Sequence, residues 1–247
     1  MNHNLKNKRA LVTGGSRGIG AAIVKRLANE GAHVAFTYSS SPDRANEVAK
    51  STQALGVKAV AIQADSADAA AVAAAVERTV SELGGIDILV NNAGIGVFAP
   101  IDEFKLAAFD RILAINVRGV FVATQAAVKY MKEGGRIINI GSTNAERMPF
   151  AGGAVYAMSK SALQGLVQGI ARDLGPRGIT INNVQPGPVN TDLNPDTGEF
   201  AEMLKTLNAI PRYATADEIA GMVAYLASPE AAYVTGANLM IDGGFSA

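Results

Sequence analysis

The alternation of short apolar runs with longer helix-like segments is the feature that most constrains the fold of this 247-residue chain. The runs are four or five residues long and all carry β-branched side chains, as is typical of parallel strands covered on both faces. They read RALV, HVAFT, AVAIQ, ILVN, RIINI, TINNV and NLMID. Helix-like segments begin at about Gly18, Asp43, Asp68, Glu103, Gly153 and Thr215. This order predicts one α/β domain, residues 1–247, with a doubly wound parallel sheet of about seven strands and helices on both faces.

One long segment, at about residues 188–211, has no clear place in this sheet and is rich in Pro, Asn, Asp and Thr. Ligands of such folds bind outside the carboxyl ends of the strands, so the segment is predicted to be an inserted substrate loop. Its first part, NTDLNPDTGEF, is rich in turn formers, whereas AEMLKTLNAI has apolar residues at helical spacing. We expect the part from about Thr191 to Pro211 to be a mobile lid; a permanently packed excursion is the alternative.

Composition excludes several classes of function. The 22 basic and 22 acidic residues are interspersed and cancel, which removes the electrostatic case for nucleic acid or an anionic membrane as a partner. The absence of cysteine excludes disulfides, thiolate metal sites and cysteine nucleophiles. The two histidines, His3 and His33, are too few and too far apart to suggest a metal site or a catalytic triad. With no signal-peptide core and no apolar run of roughly 20 residues, a cytoplasmic protein is expected.

A glycine-rich turn, TGGSRGIG at residues 13–20, lies between the first apolar run and the first helix-like segment. Glycines at a strand-to-helix turn let the backbone approach a pyrophosphate, whose charge the helix N-terminus favours. The spacing differs from G-x-G-x-x-G, and a tight turn that only needs positive φ is the alternative. The residues predicted to bind a dinucleotide here are Gly14, Ser16, Arg17, Gly18, Ile19 and Gly20.

The end of the second run indicates which dinucleotide is bound. A carboxylate at this position usually binds the ribose hydroxyls of NAD, but HVAFT is followed by Tyr38, Ser39, Ser40 and a third serine, with no acid before Asp43. Arg17 and the serine hydroxyls could instead surround a 2′-phosphate, so the predicted cofactor is NADP(H). The alternative is that Arg17 is solvated and the serines only start a loop.

The stretch VYAMSK places Tyr156 and Lys160 four residues apart in a segment with helical character. Residues at this spacing are neighbours on a helix, and a nearby cation favours the phenolate, so the pKa of Tyr156 is expected to fall. Such a tyrosine can exchange a proton near neutral pH. A packing ring beside a solvated charge is the alternative.

Six motifs occur together in a fixed order. They are TGGSRGIG, NNAG at residues 91–94, Asn116 in LAINVRG, Ser142 in INIGS, YAMSK, and PGPVNT at residues 186–191. Over essentially the full chain this set resembles the short-chain dehydrogenase/reductase family, whose fold is of the Rossmann type. Within the family the chain is similar to the 3-oxoacyl-[acyl-carrier-protein] reductase-type carbonyl reductases. The segments GGSRGIGAAIV, NAGIGVF, SKSALQG and VQPGP also resemble a subgroup of cyclic-di-GMP-binding biofilm-dispersal reductases.

The resemblance implies reduction of a ketone or 3-oxoacyl-type carbonyl to a secondary alcohol by hydride transfer from NADPH. Tyr156 would protonate the carbonyl oxygen, and Lys160 would lower the pKa of Tyr156 and bind the nicotinamide ribose. Ser142 would donate a hydrogen bond to the same oxygen. Asn116 would hold a water that joins Lys160 to bulk solvent. Taken alone, Ser142 could be a helix cap, and Asn116 could be a buried amide that serves the backbone.

The resemblance also implies further cofactor contacts. Asp65, with Ser66 beside it, would meet the adenine amino group, although a helix N-cap is the alternative for Asp65. The residues expected beside the adenosine ribose are Asn92, Ala93 and Gly94, and those expected around the nicotinamide and its ribose are Tyr156, Lys160, Pro186, Gly187, Val189 and Thr191.

The residues expected to contact the substrate are mostly apolar, which fits hydrophobic ketones or oxo esters. They are Phe98, Ser142, Asn144, Met148, Phe150 and Leu193. The C-terminal IDGGFSA matches the family's subunit-contact end, so the resemblance implies a homo-tetramer. Two other functions stay open: an NAD-dependent alcohol dehydrogenase of the same fold, and a regulatory protein that binds a nucleotide or cyclic-di-GMP.

Overall fold

All seven strands of the computed structural model, which describes residues 4–247, lie parallel in one sheet with the order β3-β2-β1-β4-β5-β6-β7. The strands are β1 Arg9–Val12, β2 His33–Tyr38, β3 Ala59–Gln63, β4 Ile88–Asn91, β5 Arg136–Ile140, β6 Thr180–Pro186 and β7 Asn238–Ile241. Each contains residues of one predicted run. The order reverses between β1 and β4, and a ligand crevice opens at such a switch point. The predicted doubly wound parallel sheet is confirmed.

Helices cover both faces of the sheet. They are α1 Gly18–Asn29, α2 Pro42–Gln53, α3 Ala69–Leu83, α4 Leu106–Leu113, α5 Val120–Ala127, α6 Ala154–Leu174, α7 Glu199–Leu207 and α8 Ala216–Ala227. On one face α1, α2 and α8 bury apolar side chains such as Ile23 and Val223 against the strands. On the other face α3, α5 and α6 do the same through Val76, Ala123 and Val167.

Local sequence explains where several helices begin. Asp68 precedes α3, and its carboxylate accepts hydrogen bonds from the backbone N–H groups of Ala70 and Ala71. Thr215 and Glu218 form a capping box at the start of α8, in which each side chain bonds to the other residue's backbone. These residues satisfy N–H groups that a helix start leaves without partners, so the helix starts predicted at Asp68 and Thr215 are each correct to within one residue.

The helix predicted from Glu103 differs from the structure in two ways. It begins later, at Leu106, and a π-helical turn at Ala114–Gly119 divides it into α4 and α5. Such turns are rare and occur often at functional sites. At Gly119 the turn approaches the backbone of Ser66 so closely that a Cβ there would lie 2.5 Å from the Ser66 carbonyl oxygen. Asn116 lies in this turn and is buried, and apolar periodicity alone does not predict the register change.

The segment between β6 and α8 contains the helix expected in its second half. In α7, Ala201 and Leu204 are buried against Tyr213 and against Phe245 near the C-terminus. The first half contains an isolated bridge between Thr191 and Asn194. The mobility predicted for this segment stays a prediction.

The structure also bears on the two histidines and on membrane crossing. His33 Nδ1 accepts a hydrogen bond from the Lys58 backbone N–H at 3.0 Å, whereas His3 lies outside the described residues. Between Asn4 and Ala247 no helix has both the length and the hydropathy needed to cross a bilayer.

Candidate active site

The glycine-rich turn has the backbone geometry that its sequence predicts. Gly14 and Gly18 have φ values of 68° and 53°, which favour glycine. A Cβ at Gly20 would collide with the Gly14 carbonyl oxygen. Arg17 occupies the N-cap of α1 and makes no side-chain capping bond, so the first N–H groups of this helix face the crevice without a side-chain partner. The turn therefore needs glycine for steric reasons, as the tight-turn alternative requires. Its free N–H groups at the start of α1 also make it suitable for binding an anion.

Asn92 holds this turn in place. Its Nδ2 donates to the carbonyl oxygens of Thr13 and Gly14 at 2.9 and 3.0 Å. The Thr13 hydroxyl accepts from the backbone N–H groups of Asn92 and Ala93, both at 3.0 Å. These bonds join the carboxyl ends of β1 and β4 at the switch point. The motif-based resemblance implies a place beside the ribose for Asn92 but not this structural role.

A cavity of about 320 Å³ opens at this edge of the sheet. The predicted cofactor residues that line it are Gly14, Ser16, Arg17, Gly18, Ile19, Gly20, Tyr38, Ser39, Ser40, Asp65, Ser66, Asn92, Ala93, Gly94 and Thr191. Residues that the sequence analysis did not assign to the cofactor also line it: Thr37, Ser41, Ala64, Ile95, Arg111, Ile115, Asp192 and Leu193. Its wall joins the glycine-rich turn to the ends of β2 and β4, which suits a dinucleotide bound across the switch point.

The side of this cavity next to β2 carries hydroxyls and one cation. Arg17 is exposed, and within residues 4–247 it makes no salt bridge. Ser39 and Ser40 follow β2 and face the same space, whereas Asp43, the nearest acid along the chain, lies in α2 and not on the cavity wall. This donor set fits a 2′-phosphate better than two ribose hydroxyls.

Asp65 is held by a residue that the sequence analysis missed. Its carboxylate accepts two hydrogen bonds from Arg111 Nη2, at 3.1 and 3.0 Å, and one from the Ala67 N–H at 3.0 Å. The Ala67 bond and then Arg111 hold the pKa of Asp65 below its ordinary value against the opposing effect of burial. The helix-cap alternative is wrong, because Asp68 caps α3.

Lys160 is buried among polar backbone groups. Its side chain is 5% exposed, and Nζ donates to the Ile140 carbonyl oxygen at 2.8 Å. Nζ also lies 5.9 Å from the centroid of the Tyr156 ring. Burial lowers the pKa of Lys160 from 10.5 to about 8. The alternative of a solvated lysine is therefore wrong.

The groups of the chain itself raise the pKa of Tyr156, whereas the sequence predicts that it falls. Burial raises the pKa of the phenol above its ordinary value, and the nearby Ser142 hydroxyl only opposes this rise. Lys160 does not reverse it, because its Nζ bonds to Ile140 and is itself desolvated. At neutral pH Tyr156 therefore keeps its proton, which is the state that a proton donor requires.

The Lys160 environment predicts a pH-dependent stability. Because the folded pKa is about 8 and the ordinary value is 10.5, the unfolded chain binds more protons between these values, so stability rises with pH there. We expect the free energy of unfolding of the wild type, relative to Lys160→Met, to rise by about 2 kcal/mol between about pH 7.5 and about pH 10. Urea titrations of both proteins measure this, and a difference that does not change with pH would contradict it.

Ser142 makes a capping bond and Asn116 makes backbone bonds, which are the alternatives to a catalytic role for these two residues. Ser142 Oγ accepts from the Asn144 N–H at 3.1 Å, which caps a short 3₁₀ turn at Thr143–Ala145, and also donates to Asn144 Oδ1 at 3.3 Å. Asn116 Oδ1 accepts from the Ile95 N–H, and its Nδ2 donates to the Ile95 carbonyl oxygen, each at 2.9 Å. These bonds fix both side chains; Ser142 lines the second cavity described below, whereas Asn116 is buried and lines neither cavity.

Gly94 is the point where Asn116 and Lys160 meet. A Cβ at Gly94 would lie 3.3 Å from Lys160 Nζ and 3.4 Å from Asn116 Oδ1. Asn116 Nδ2 also donates to Ser159 Oγ at 3.0 Å, which ties the π-helical turn to α6. Lys160 Nζ and Asn116 Oδ1 thus both lie beside Gly94, and the water-mediated link between them stays a prediction.

A second cavity, of about 640 Å³, adjoins the first. The predicted residues that line it are Ile19, Asn92, Gly94, Phe98, Ser142, Asn144, Phe150, Tyr156, Lys160, Pro186, Gly187, Val189, Thr191 and Leu193. Met148 is absent from this wall: it packs on Gly153, where a Cβ would collide with the Met148 thioether. Phe200, Leu204 and Phe245 are among the lining residues that were not predicted.

The C-terminal residues reach this cavity through side-chain bonds to the loop after β5. The Asp242 carboxylate accepts from the Thr143 hydroxyl at 2.9 Å and from the Ser246 hydroxyl at 2.6 Å. Arg147 Nη1 donates to the Phe245 carbonyl oxygen at 2.6 Å. The tail is thereby joined to the loop that carries Ser142.

Comparison with known proteins places this geometry in a family. The family model described as enoyl-(acyl carrier protein) reductase matches residues 14–246. The cyclic-di-GMP-binding biofilm dispersal mediator protein of Escherichia coli (strain K12) is 52% identical over 240 residues, which are 97% of this chain and 98% of that protein. The 3-oxoacyl-[acyl-carrier-protein] reductase FabG of Staphylococcus aureus (strain N315) is 40% identical over 241 residues, with 96% and 97% covered.

Solved structures of related proteins indicate the same family. A short-chain dehydrogenase/reductase from Serratia marcescens BCRC 10948 is 65% identical with a TM-score of 0.98, and the alignment covers 99% of this chain and 100% of that one. A short chain dehydrogenase from Burkholderia cenocepacia J2315, solved in complex with NADP, is 53% identical with a TM-score of 0.98 and the same coverage. The resemblance stated from the motifs is confirmed: this chain belongs to the short-chain dehydrogenase/reductase family.

Proposed function

We propose that this protein reduces a ketone or 3-oxoacyl-type carbonyl to a secondary alcohol with NADPH. The observation that carries the proposal is that the two cavities share wall residues, including Ile19, Gly94 and Thr191. A dinucleotide that enters at the glycine-rich turn can therefore extend toward Tyr156. When bound, the cofactor would supply the hydride.

Four side chains would bind the reactants and transfer the proton. Tyr156, protonated at neutral pH, would donate its proton to the carbonyl oxygen, and Ser142 would hold that oxygen with a second hydrogen bond. Lys160, fixed to Ile140 beside the Tyr156 ring, would bind the nicotinamide ribose and lower the cost of the phenolate that forms. Asn116 would hold the water through which Lys160 exchanges protons with solvent.

The proposed cofactor is NADP(H). The exposed Arg17 and the hydroxyls of Ser39 and Ser40 would bind the 2′-phosphate, and Asp65, held by Arg111, would meet the adenine. Two related proteins provide support, since one solved relative contains NADP and another, 55% identical, contains NADPH. Pro186, Gly187 and Val189 line the second cavity, where they would close around the nicotinamide.

An assay of NADPH oxidation over a panel of neutral ketones and 3-oxoacyl thioesters tests the proposal. We expect ketone-dependent loss of NADPH absorbance together with formation of the secondary alcohol. Slow oxidation that does not depend on ketone would contradict carbonyl reduction. Faster turnover with NADH would instead support the NAD-dependent alcohol dehydrogenase.

A regulatory function is the second candidate, because the 52% identical relative is named a cyclic-di-GMP-binding protein. Calorimetric titration with cyclic-di-GMP, with and without NADPH, separates the possibilities. Binding that NADPH abolishes would place the dinucleotide in the cofactor cavity, whereas binding to a protein without reductase activity would favour a sensor.

The segment from about Thr191 to Pro211 is proposed to act as a lid. Leu193 is 72% exposed, and Asp192 reaches across the cavity mouth to an ion pair with Arg44 on α2. Closure would exclude water from the reacting groups. We expect hydrogen exchange in this segment to slow on forming a complex with NADP and a non-reactive substrate analogue. Complete protection in the free protein, unchanged in the complex, would contradict this.

The organisation of the protein is proposed on the same basis. Residues 1–247 would act as one cytoplasmic catalytic domain with a substrate loop at about 188–211. A homo-tetramer follows from the family likeness of IDGGFSA, and β7 lies at the edge of the sheet with partly exposed residues. Light scattering coupled to size-exclusion chromatography measures this state, and a monomer at micromolar concentration would contradict it.

A further inference from the structure

A row of aromatic rings leads from the proposed proton donor into the second cavity. The rings of Tyr156 and Phe98 lie 5.5 Å apart between centroids and are tilted by 50°. Phe98 is 5.9 Å from Phe150, and Phe150 is 5.5 Å from Phe200 in an edge-on arrangement. These separations fall in the range of favourable ring contacts. Three separate parts of the chain thus bring phenylalanines to the same wall.

The outer rings of this row keep much of their surface free. Phe98 and Phe200 are each 52% exposed, and they lie in one group with Phe150. Grouped exposed apolar side chains that line a cavity indicate a ligand surface. Their faces can receive another ring at the same distances at which they contact each other.

The cavity offers no cation to an anionic substrate group. Among the described residues that line it, Lys160 is the one basic side chain, and its Nζ is bonded to Ile140. Arg147 lies outside the wall and is engaged with Phe245, whose carbonyl oxygen and ring face it contacts. A carboxylate or phosphate in this cavity would lose hydration without gaining a partner.

The segment beside the cavity mouth is acidic. Between Thr191 and Leu204 all charged residues are acids, namely Asp192, Asp196, Glu199 and Glu202. Asp192 and Glu202 are paired with Arg44 and Lys205, so part of this charge is offset. Glu199 and Glu202 lie close to Phe200 in the sequence of α7, and all three side chains are exposed. An acyl group carried on phosphopantetheine brings phosphate charges to this mouth, where like charges disfavour association.

From these observations we infer that the substrate is a free, uncharged ketone that carries an aromatic ring next to the carbonyl, rather than a carrier-borne 3-oxoacyl thioester. The inference rests on the proposed carbonyl reduction. The carbonyl would lie at Tyr156 and Ser142, and the aromatic ring would pack on Phe98 and Phe150.

The test compares three substrates at saturating NADPH: acetophenone, cyclohexyl methyl ketone, which has the same carbon count without π electrons, and acetoacetyl-CoA. The quantity measured is the ratio of kcat/KM for acetophenone to that for cyclohexyl methyl ketone. The intrinsic reactivities of the two ketones are the same for every variant, so a change in this ratio between variants reports a change in the protein. Phe98→Leu and Phe150→Leu are each expected to lower this ratio about three- to tenfold. Tyr130→Leu, a change of an exposed aromatic residue outside both cavities, is the matched control and should leave the ratio unchanged.

A second comparison tests the charge. Replacing Glu199 and Glu202 together by Gln is expected to raise kcat/KM for acetoacetyl-CoA severalfold at low salt and to leave that for acetophenone unchanged.

The outcomes separate the inference from the function on which it rests. A ratio unaffected by both phenylalanine substitutions, or a wild-type preference for acetoacetyl-CoA over acetophenone, would overturn the inference and leave carbonyl reduction standing. Absence of ketone-dependent NADPH oxidation with all three compounds would overturn the proposed function as well.

Discussion

Replacement of Tyr156 by Phe is expected to reduce kcat at least roughly 100- to 10,000-fold, the contribution of a positioned proton donor. The phenyl ring can keep the contact with Phe98 at 5.5 Å and the position over Lys160, so the loss should be confined to the hydroxyl. Cofactor affinity should change little, because the glycine-rich turn and Arg17 are untouched. The measurement is single-turnover NADPH oxidation at saturating ketone, where chemistry limits the rate.

The matched control is Tyr130→Phe, which removes an exposed phenol that lines neither cavity. Far-ultraviolet circular dichroism and NADPH fluorescence titration report fold and cofactor binding in both variants. If Tyr156→Phe kept more than a tenth of the wild-type kcat under these conditions, Tyr156 would not be the proton donor.

Replacement of Arg17 by Ala is expected to lower kcat/KM for NADPH roughly ten- to a hundredfold and to affect NADH little. A guanidinium bound to a phosphate makes a charge-assisted hydrogen bond worth about 1.5 to 3 kcal/mol, and NADH lacks that phosphate. Arg17 can supply this bond because it is exposed at the cavity and makes no salt bridge within residues 4–247. The wild type should accordingly prefer NADPH.

Lys25→Ala is the control for charge, since Lys25 is an exposed cation on the same helix that does not line the cavity. Both cofactors are measured at varied concentration with one ketone. Equal kcat/KM values for NADPH and NADH in the wild type would refute the preference, and an equal loss for both cofactors in Arg17→Ala would show that Arg17 does not contact the 2′-phosphate.

The sheet could be predicted from the sequence because burial on both faces imposes continuous apolar runs, and each observed strand contains residues of one predicted run. Helix starts with strong local signals, such as Asp68 and Thr215, were also predicted closely. The glycine-rich turn could be located because its sterics are local, as the positive φ values of Gly14 and Gly18 show.

The parts that were missed depend on contacts between distant residues. Arg111 reaches Asp65 across 46 positions, and Phe245 enters the cavity wall from the C-terminal tail. The π-helical turn around Asn116 changes register without a break in composition. The raised pKa of Tyr156 in the chain itself was not predicted, because helical spacing to Lys160 says nothing of burial, which raises the pKa against the Ser142 hydrogen bond.

Transfer of deuterium tests the central proposal most directly. The protein is incubated with NADPH deuterated at both C4 positions and with a mixture of neutral ketones, and the alcohols are analysed by mass spectrometry. Carbonyl reduction at this site predicts one deuterium on the carbinol carbon with the wild type and at least roughly 100-fold less labelled alcohol with Tyr156→Phe. Alcohol without deuterium, or equal labelling by the two proteins, would contradict it.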